Sequence, residues 1–279
     1  MTPSLYLAPS LDTAVAALAE RGTEGAPLAG GTWIMRAPIR HEPLRSAYVG
    51  LGRVPELGRI EIESDHVAIG AGVTHDRLAG ALAEAPELRV LAQAAGRSAN
   101  PAVRRAATLG GNLCTADFAA ADLVPALLCL DAEVEIHSPG AVERMPLEKF
   151  LVIRQSLVPG HLLTRVVIAR TVARSAHARL PLRKAGDYPT AILSLSVARD
   201  ADGRVAQARI AVGSVEPVAR RWPRLEAALT GAPLDAGTAH RLATELADDF
   251  TGRDGVEAPG WYRVAVLPAL VRRAVAALH

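Results

Sequence analysis

Leu28-Ala29-Gly30-Gly31-Thr32-Trp33 and, far downstream, Ala107-Thr108-Leu109-Gly110-Gly111-Asn112-Leu113 share one plan. Each sets a glycine pair after a small or apolar stretch, with a hydroxyl residue alongside. Consecutive residues without a Cβ let backbone N–H groups turn into one concavity, which a negative oxygen can approach closely. The threonine hydroxyls and the Asn112 amide add donors, and a hydrogen bond to a charged partner contributes roughly 1.5–3 kcal/mol. Together the two loops suit a pyrophosphate. Neither is Gly-x-Gly-x-x-Gly or a Walker loop, so a Rossmann or P-loop site is disfavoured. Taken singly, a Gly-Gly pair is also an ordinary turn.

Outward from these loops the chain alternates helix and strand. Ser10 is placed to cap a helix carrying Leu11, Val15, Leu18 and Ala19, with Gly22 as its stop. Pro27-Leu28-Ala29 reads as short and extended, and Ala47 to Leu51 as a buried strand. Ile60-Glu61-Ile62 and Val67-Ala68-Ile69 alternate as hairpin strands do. Thr74 heads a helix through Leu78 and Leu82, and a second holds Leu88, Leu91 and Ala95. After the Gly110-Gly111 turn, a helix begins around Asp122, and strands follow at Ala132–His137 and His161–Ala169. Arg170 to Ala178 is polar and broken, with no clean period. Beyond it, Ala191–Arg199 and Val205–Val212 flank the turn Asp200-Ala201-Asp202-Gly203. Helices are expected at roughly 220–230, 236–251 and 262–278.

The composition narrows the function classes. The chain has 279 residues, half of them apolar and 22% charged, as in a folded globular protein of one large or two modest domains. The net charge is +2, and the arginines are spread among acids, which is not the clustered footprint of a DNA binder. Cys114 and Cys129 are too few to hold an iron–sulfur cluster and form no Cys-x-x-Cys pair. No apolar run approaches the roughly 18 residues of a membrane span, and the N-terminal residues do not read as a signal peptide. A cytoplasmic location is the expectation. No Ser–His–Asp, paired-carboxylate or metal-ligand set is evident. His75 reads as structural and Cys114 as a packing residue.

The motifs, in their order, resemble the FAD-binding medium subunit of molybdenum hydroxylases, the relatives of xanthine dehydrogenase and carbon monoxide dehydrogenase. Ala29-Gly30-Gly31-Thr32 looks like the first flavin-phosphate loop, and Thr108-Leu109-Gly110-Gly111-Asn112-Leu113 like the second. Between them Val54-Pro55-Glu56-Leu57 and Ile69-Gly70-Ala71-Gly72-Val73-Thr74 resemble the intervening family segments. Ala121-Asp122-Leu123, Leu130-Asp131-Ala132, Lys184-Ala185-Gly186-Asp187-Tyr188 and Tyr262-Arg263 continue the series, so the resemblance spans essentially the whole chain.

The resemblance implies an α+β protein. It would combine a PCMH-type, vanillyl-alcohol-oxidase-like FAD-binding fold of two subdomains with a C-terminal α+β domain like that of CO dehydrogenase flavoproteins. The expected limits are 1–175 for the FAD-binding domain (subdomains about 1–53 and 54–175) and 176–279 for the C-terminal domain. Carried over by residue, Ala29, Gly30, Gly31, Thr32, Thr108, Gly110, Gly111 and Asn112 would hold FAD phosphates and ribityl, Thr115 would be a further FAD contact, and Trp33 would either forgo one side-chain bond to FAD or cover the adjacent ring system. Asp122 would meet FAD hydroxyls or, as the alternative, merely cap its helix. Tyr188 would lie over or near the isoalloxazine ring, with Lys184 close by; each is otherwise an ordinary core aromatic or a solvated charge. Trp33, and Asp117-Phe118 with one extra residue before Asp122, depart from the family pattern. No extra cluster-binding insertion is expected in this chain.

By the same resemblance, the organic substrate is hydroxylated at a molybdenum cofactor in a large subunit. Electrons then pass through two 2Fe–2S clusters in a small subunit to FAD, and on to NAD, oxygen or a quinone. A dimer of heterotrimers is implied. Two other classes stay open at this level: a stand-alone FAD oxidoreductase of the same fold group, and a scaffold subunit without FAD.

Overall fold

The computed structural model describes residues 3–182 and 188–278. In chain order the elements are β1 (Ser4–Leu7), α1 (Leu11–Arg21), β2 (Gly25–Leu28), β3 (Ala47–Gly50), β4 (Ile60–Ile62), β5 (His66–Gly70), α2 (His75–Ala81), α3 (Arg89–Arg97), α4 (Pro101–Arg104) and α5 (Leu109–Cys114). Then come α6 (Leu123–Cys129), β6 (Glu133–Ser138), β7 (Ala141–Pro146), α7 (Leu147–Ile153), β8 (Leu162–Ala169), β9 (Arg174–Pro181), β10 (Pro189–Arg199), β11 (Val205–Gly213), β12 (Arg220–Arg221), α8 (Pro223–Leu229), α9 (Ala236–Glu245), α10 (Gly260–Ala265) and α11 (Leu267–Ala276). Two compact units emerge, each drawn from three stretches of chain.

The first unit comprises Met1–Arg77, Pro101–Ala116 and Ala132–Ala169. Its first sheet has the order β1-β3-β2, with both pairings parallel. A parallel pair needs a crossover, and α1 supplies it between β1 and β2. Ser10 accepts from Thr13 N and Thr13 reaches back to Ser10 N, while Gly22 closes the helix at φ 54°. The apolar face of α1 buries Ala14, Val15, Ala17 and Leu18. The second sheet, β4-β5-β8-β6-β7, is antiparallel throughout. Val67, Ile69, Val166, Ile168, Val134 and Ile136 fill its inner face. Arg165 binds Glu135 at 2.5 Å from the other face.

The second unit comprises Leu78–Asn100, Asp117–Asp131 and Arg170–His279. Its sheet is β12-β11-β10-β9, antiparallel and covered by helices that include α11 and α8. Trp222 is fully buried, edge-on to Phe250 at 4.9 Å, and its Nε1–H donates to Asp249 at 2.9 Å. A buried indole needs such a partner, and Asp249 provides it.

Three sequence expectations change. Arg170–Ala178 contains most of β9, because Ser175 and His177 are polar yet buried. Ser175 Oγ accepts from Val90 N at 3.0 Å and donates to Glu87 O at 2.8 Å, and Gln93 Oε1 accepts from His177 N at 3.1 Å. The alternation is real, but its polar face is an inner one. The Gly110-Gly111 stretch is a turn of helix, not a β-like turn. The helix expected over 262–278 is broken near Val266 into α10 and α11. Among the described residues no helix is long and apolar enough to cross a membrane.

Candidate functional site

The two glycine loops meet within the first unit. The first follows β2, where Leu51 N donates to Leu28 O at 2.9 Å and fixes the strand end. Gly30 then runs directly against the chain that enters the second loop. A Cβ built on Gly30 would lie 1.7 Å from Ala106 O and 2.6 Å from its carbonyl carbon. Only glycine permits that approach. Gly31 follows at φ +68°, a left-handed value that glycine adopts without cost. Among the described residues, no hydrogen bond engages the N–H of Gly30, Gly31 or Thr32. Three successive half-buried donors are therefore available at this bend.

The second loop is built differently, and here the expectation of a shared N–H concavity is corrected. Leu109 N donates to Val73 O at 2.9 Å, and Gly110 N to Ala71 O at 2.8 Å. Gly111 N donates to Thr108 Oγ1 at 3.1 Å, and Asn112 N to Thr108 O at 3.0 Å. Thr108 is thus the N-cap of α5. The loop's amides hold it on the Ala71–Thr74 strap that leaves β5. Gly110 permits this, since a Cβ there would meet Ala71 Cβ at 2.8 Å. What the second loop can offer a ligand is its side chains, Asn112 and Thr115. The Thr115 hydroxyl donates to Gly111 O at 2.7 Å and keeps acceptor capacity.

Two residues brace this arrangement. His75 donates its backbone N–H to Ala107 O at 2.9 Å, and its ring is buried. Burial holds that imidazole down at about 4, with a Thr108 backbone hydrogen bond opposing, so it is neutral at pH 7. The buried ring and the backbone bond are what a structural reading of His75 calls for. Arg154, just past α7, donates Nη1 to Leu113 O at 2.6 Å and Nη2 to Ala116 O at 3.3 Å. It anchors the end of α5, and nothing in its sequence context marked it. Cys114, expected to pack, is exposed. The Trp33 ring lies under the Arg40 guanidinium, 3.9 Å from Arg40 Cζ to the ring centroid.

Asp122 and Tyr188 lie in the second unit. Asp122 occupies the N-cap position of α6 but makes no capping hydrogen bond. Its Oδ1 instead accepts from Arg179 Nε at 2.8 Å, with both side chains nearly inaccessible to solvent. Burial pushes the carboxyl up to about 6, with Arg179 pulling the other way. The carboxylate still has acceptor sites beyond this one bond. Tyr188 packs edge-on to Phe118, with ring centroids 5.3 Å apart. Phe118 thus supplies an aromatic partner. Lys184 lies outside the described residues.

Residues 2–170 match the family described as the FAD binding domain in molybdopterin dehydrogenase, and residues 176–278 the CO dehydrogenase flavoprotein C-terminal domain. The chain is 31% identical to the 6-hydroxypseudooxynicotine dehydrogenase complex subunit alpha of Paenarthrobacter nicotinovorans, covering 98% of this chain and 93% of that one. It is 30% identical to the carbon monoxide dehydrogenase medium chain of Afipia carboxidovorans, over 95% and 93% of the two. Reconstituted CO dehydrogenase from Oligotropha carboxidovorans contains a chain that superposes with a TM-score of 0.90 at 26% identity, covering 100% of this chain and 98% of that one.

Proposed function

The chain belongs to the FAD-binding medium subunits of the molybdenum hydroxylase family, and from that premise we propose that it is the complex's electron outlet. In this reading it takes electrons from 2Fe–2S clusters of a small subunit and passes them to an external acceptor. A molybdenum-cofactor large subunit would carry out the hydroxylation, and the whole would be a dimer of heterotrimers in the cytoplasm. FAD is the chain's cofactor, and when bound it supplies one- and two-electron redox chemistry; the protein positions and tunes it.

The observation that carries the site is the backbone contact of Gly30 with Ala106. It brings two distant glycine loops to one place, beside three main-chain donors that no intramolecular hydrogen bond engages among the described residues. We assign Gly30, Gly31 and Thr32 to the pyrophosphate through their N–H groups, with Ala29 and Trp33 flanking them. Thr108, Gly110 and Gly111 shape the opposing wall, and Asn112 and Thr115 present side-chain polar atoms to phosphate or ribityl. Asp122 is assigned to FAD hydroxyls through the acceptor sites that Arg179 leaves over. Tyr188 is assigned to the isoalloxazine face and Lys184 to its neighbourhood. We place the FAD-binding domain at 1–175 and the C-terminal domain at 176–279, which the matched spans 2–170 and 176–278 support.

The test is spectral. The purified chain should show oxidised-flavin absorbance and no turnover of a purine, aldehyde or N-heterocycle. Co-expression with partner subunits should add iron–sulfur absorbance, and substrate should then bleach the flavin. Hydroxylation by the chain alone, or flavin that substrate never reduces in the complex, refutes the electron-outlet role.

A further inference from the structure

In the second unit one residue gathers the two segments that carry the aromatic pair. Ser214 is fully buried and sits at φ 63°, a conformation that costs a residue other than glycine, Asn or Asp roughly 1 kcal/mol or more. Its N–H donates to Ala119 O at 3.0 Å, one residue after Phe118. Its hydroxyl donates to Pro189 O at 2.5 Å, one residue after Tyr188. Its carbonyl accepts from Arg253 Nε at 3.0 Å and from Arg263 Nη1 at 3.2 Å.

Arg263 completes the junction. It is 0% exposed, although guanidinium groups are rarely buried without purpose. Besides Ser214, its Nη1 reaches Thr190 O at 2.8 Å and its Nη2 faces Glu257 at 3.3 Å. The main chain on the far side of Tyr188 is thus held at two successive carbonyls, Pro189 by the hydroxyl and Thr190 by the guanidinium. The segment carrying Phe118 hangs from the same serine. The sequence places Tyr262-Arg263 in the last helix of the family pattern and reads both residues as structural.

We propose that Ser214 and Arg263 are positioning residues for the flavin, setting the Tyr188–Phe118 ring pair through the main chain on which those rings are carried. This rests on the assignment of Tyr188 to the isoalloxazine face. Neither residue need touch the cofactor. The donor, hydroxyl and carbonyl of this strained serine serve three different segments at once. Ser214→Ala keeps the N–H and the carbonyl but loses the hydroxyl clasp on Pro189, together with the longer bonds that the hydroxyl accepts from Arg253 Nη2 at 3.3 Å and Arg263 Nη1 at 3.5 Å, so the Tyr188 segment loosens while the Ala119 link remains.

The test uses the full chain labelled with 3-fluorotyrosine, first without FAD and then with it. Four tyrosines give four fluorine signals, and Tyr188→Phe identifies one of them. In the FAD-free chain, Ser214→Ala and Arg263→Met are expected to shift and broaden the Tyr188 signal and leave those of Tyr6 and Tyr48 in place. Arg263→Lys, which keeps a donor near Thr190 O, should restore part of the wild-type position. With FAD bound, flavin emission quenched by Tyr188 should rise in Ser214→Ala. It should rise no further when Ser214→Ala is added to Tyr188→Leu. A Tyr188 signal unmoved by both substitutions overturns the proposal, as does an equal disturbance of all four signals. If FAD leaves the wild-type Tyr188 signal unchanged while Ser214→Ala still moves it, the junction stands as a structural device. The site assignment then fails, and the flavin-positioning role with it.

Discussion

Replacing Gly30 by alanine tests the closing of the two loops directly. The new Cβ would sit 1.7 Å from Ala106 O, where ordinary contact begins near 3.4 Å. The blocking atom is backbone, so no rotamer change relieves it. The loops must separate by roughly 1.5 Å, and overpacking of this kind costs about 1–3 kcal/mol. If FAD needs the closed arrangement, its affinity falls by about 5- to 150-fold. Three companions give the scale. Gly31→Ala meets no atom closer than 3.5 Å but is held at φ +68°, so about 1 kcal/mol of backbone strain is expected. Gly110→Ala, 2.8 Å from Ala71 Cβ, should fall between the two. Gly80→Ala meets nothing within 4 Å inside α2 and should stabilise slightly through helix propensity. Titrating the deflavinated chain with FAD gives the affinities, and thermal melts give the stabilities. Wild-type affinity in Gly30→Ala would refute the reasoning, and so would an equal loss in Gly80→Ala.

Acid should destabilise the fold through its buried imidazoles. Burial holds His75 down at about 4 and His177 at about 3, against 6.5 in the unfolded chain. As pH falls below 6.5 the unfolded state takes up protons that the folded state refuses, about 2 kcal/mol per histidine at pH 5. Asp122 works the other way: its folded value, raised to about 6, returns about 1 kcal/mol over the same window. Denaturant midpoints should therefore drop between pH 7.5 and pH 5, and drop less in His177→Gln. Thr108→Val removes the acceptor for Gly111 N and should cost about 1 kcal/mol, a melting shift of about 2–4 °C. Arg154→Ala frees the Leu113 and Ala116 carbonyls at the end of α5. FAD affinity should fall about tenfold or more, with Arg154→Lys losing less.

Local signals were legible where local physics decides. Ser10 and Gly22 bracket α1 because caps act within a few residues, and the Ile60–Ile69 hairpin follows from alternation. The glycine loops were found as a pair, but their division of labour was not. Glycine is a poor helix former, so Gly110-Gly111 reads as a turn until Ala71 and Val73 supply the carbonyls that hold it. β9 was hidden because Ser175 and His177 face inward to partners on α3 and the turn before it. Asp122 was singled out by family pattern, whereas Arg179, its partner in β9, is invisible to any local rule. The Ser214 junction works on carbonyl oxygens, which every residue has, so no residue type announces it.

The unequal chemistry of the two loops bears on how this protein can drift. If Gly30, Gly31 and Thr32 hold the pyrophosphate as proposed, they do so through main-chain donors, and that grip survives side-chain replacement that spares the glycines. In the second loop the amides are committed to the scaffold, so the contacts proposed there fall to particular side chains. Change should therefore accumulate around the first loop and be resisted at Asn112 and Thr115. A library randomised over both segments and sorted on retained flavin would display that asymmetry as two different breadths of surviving sequence.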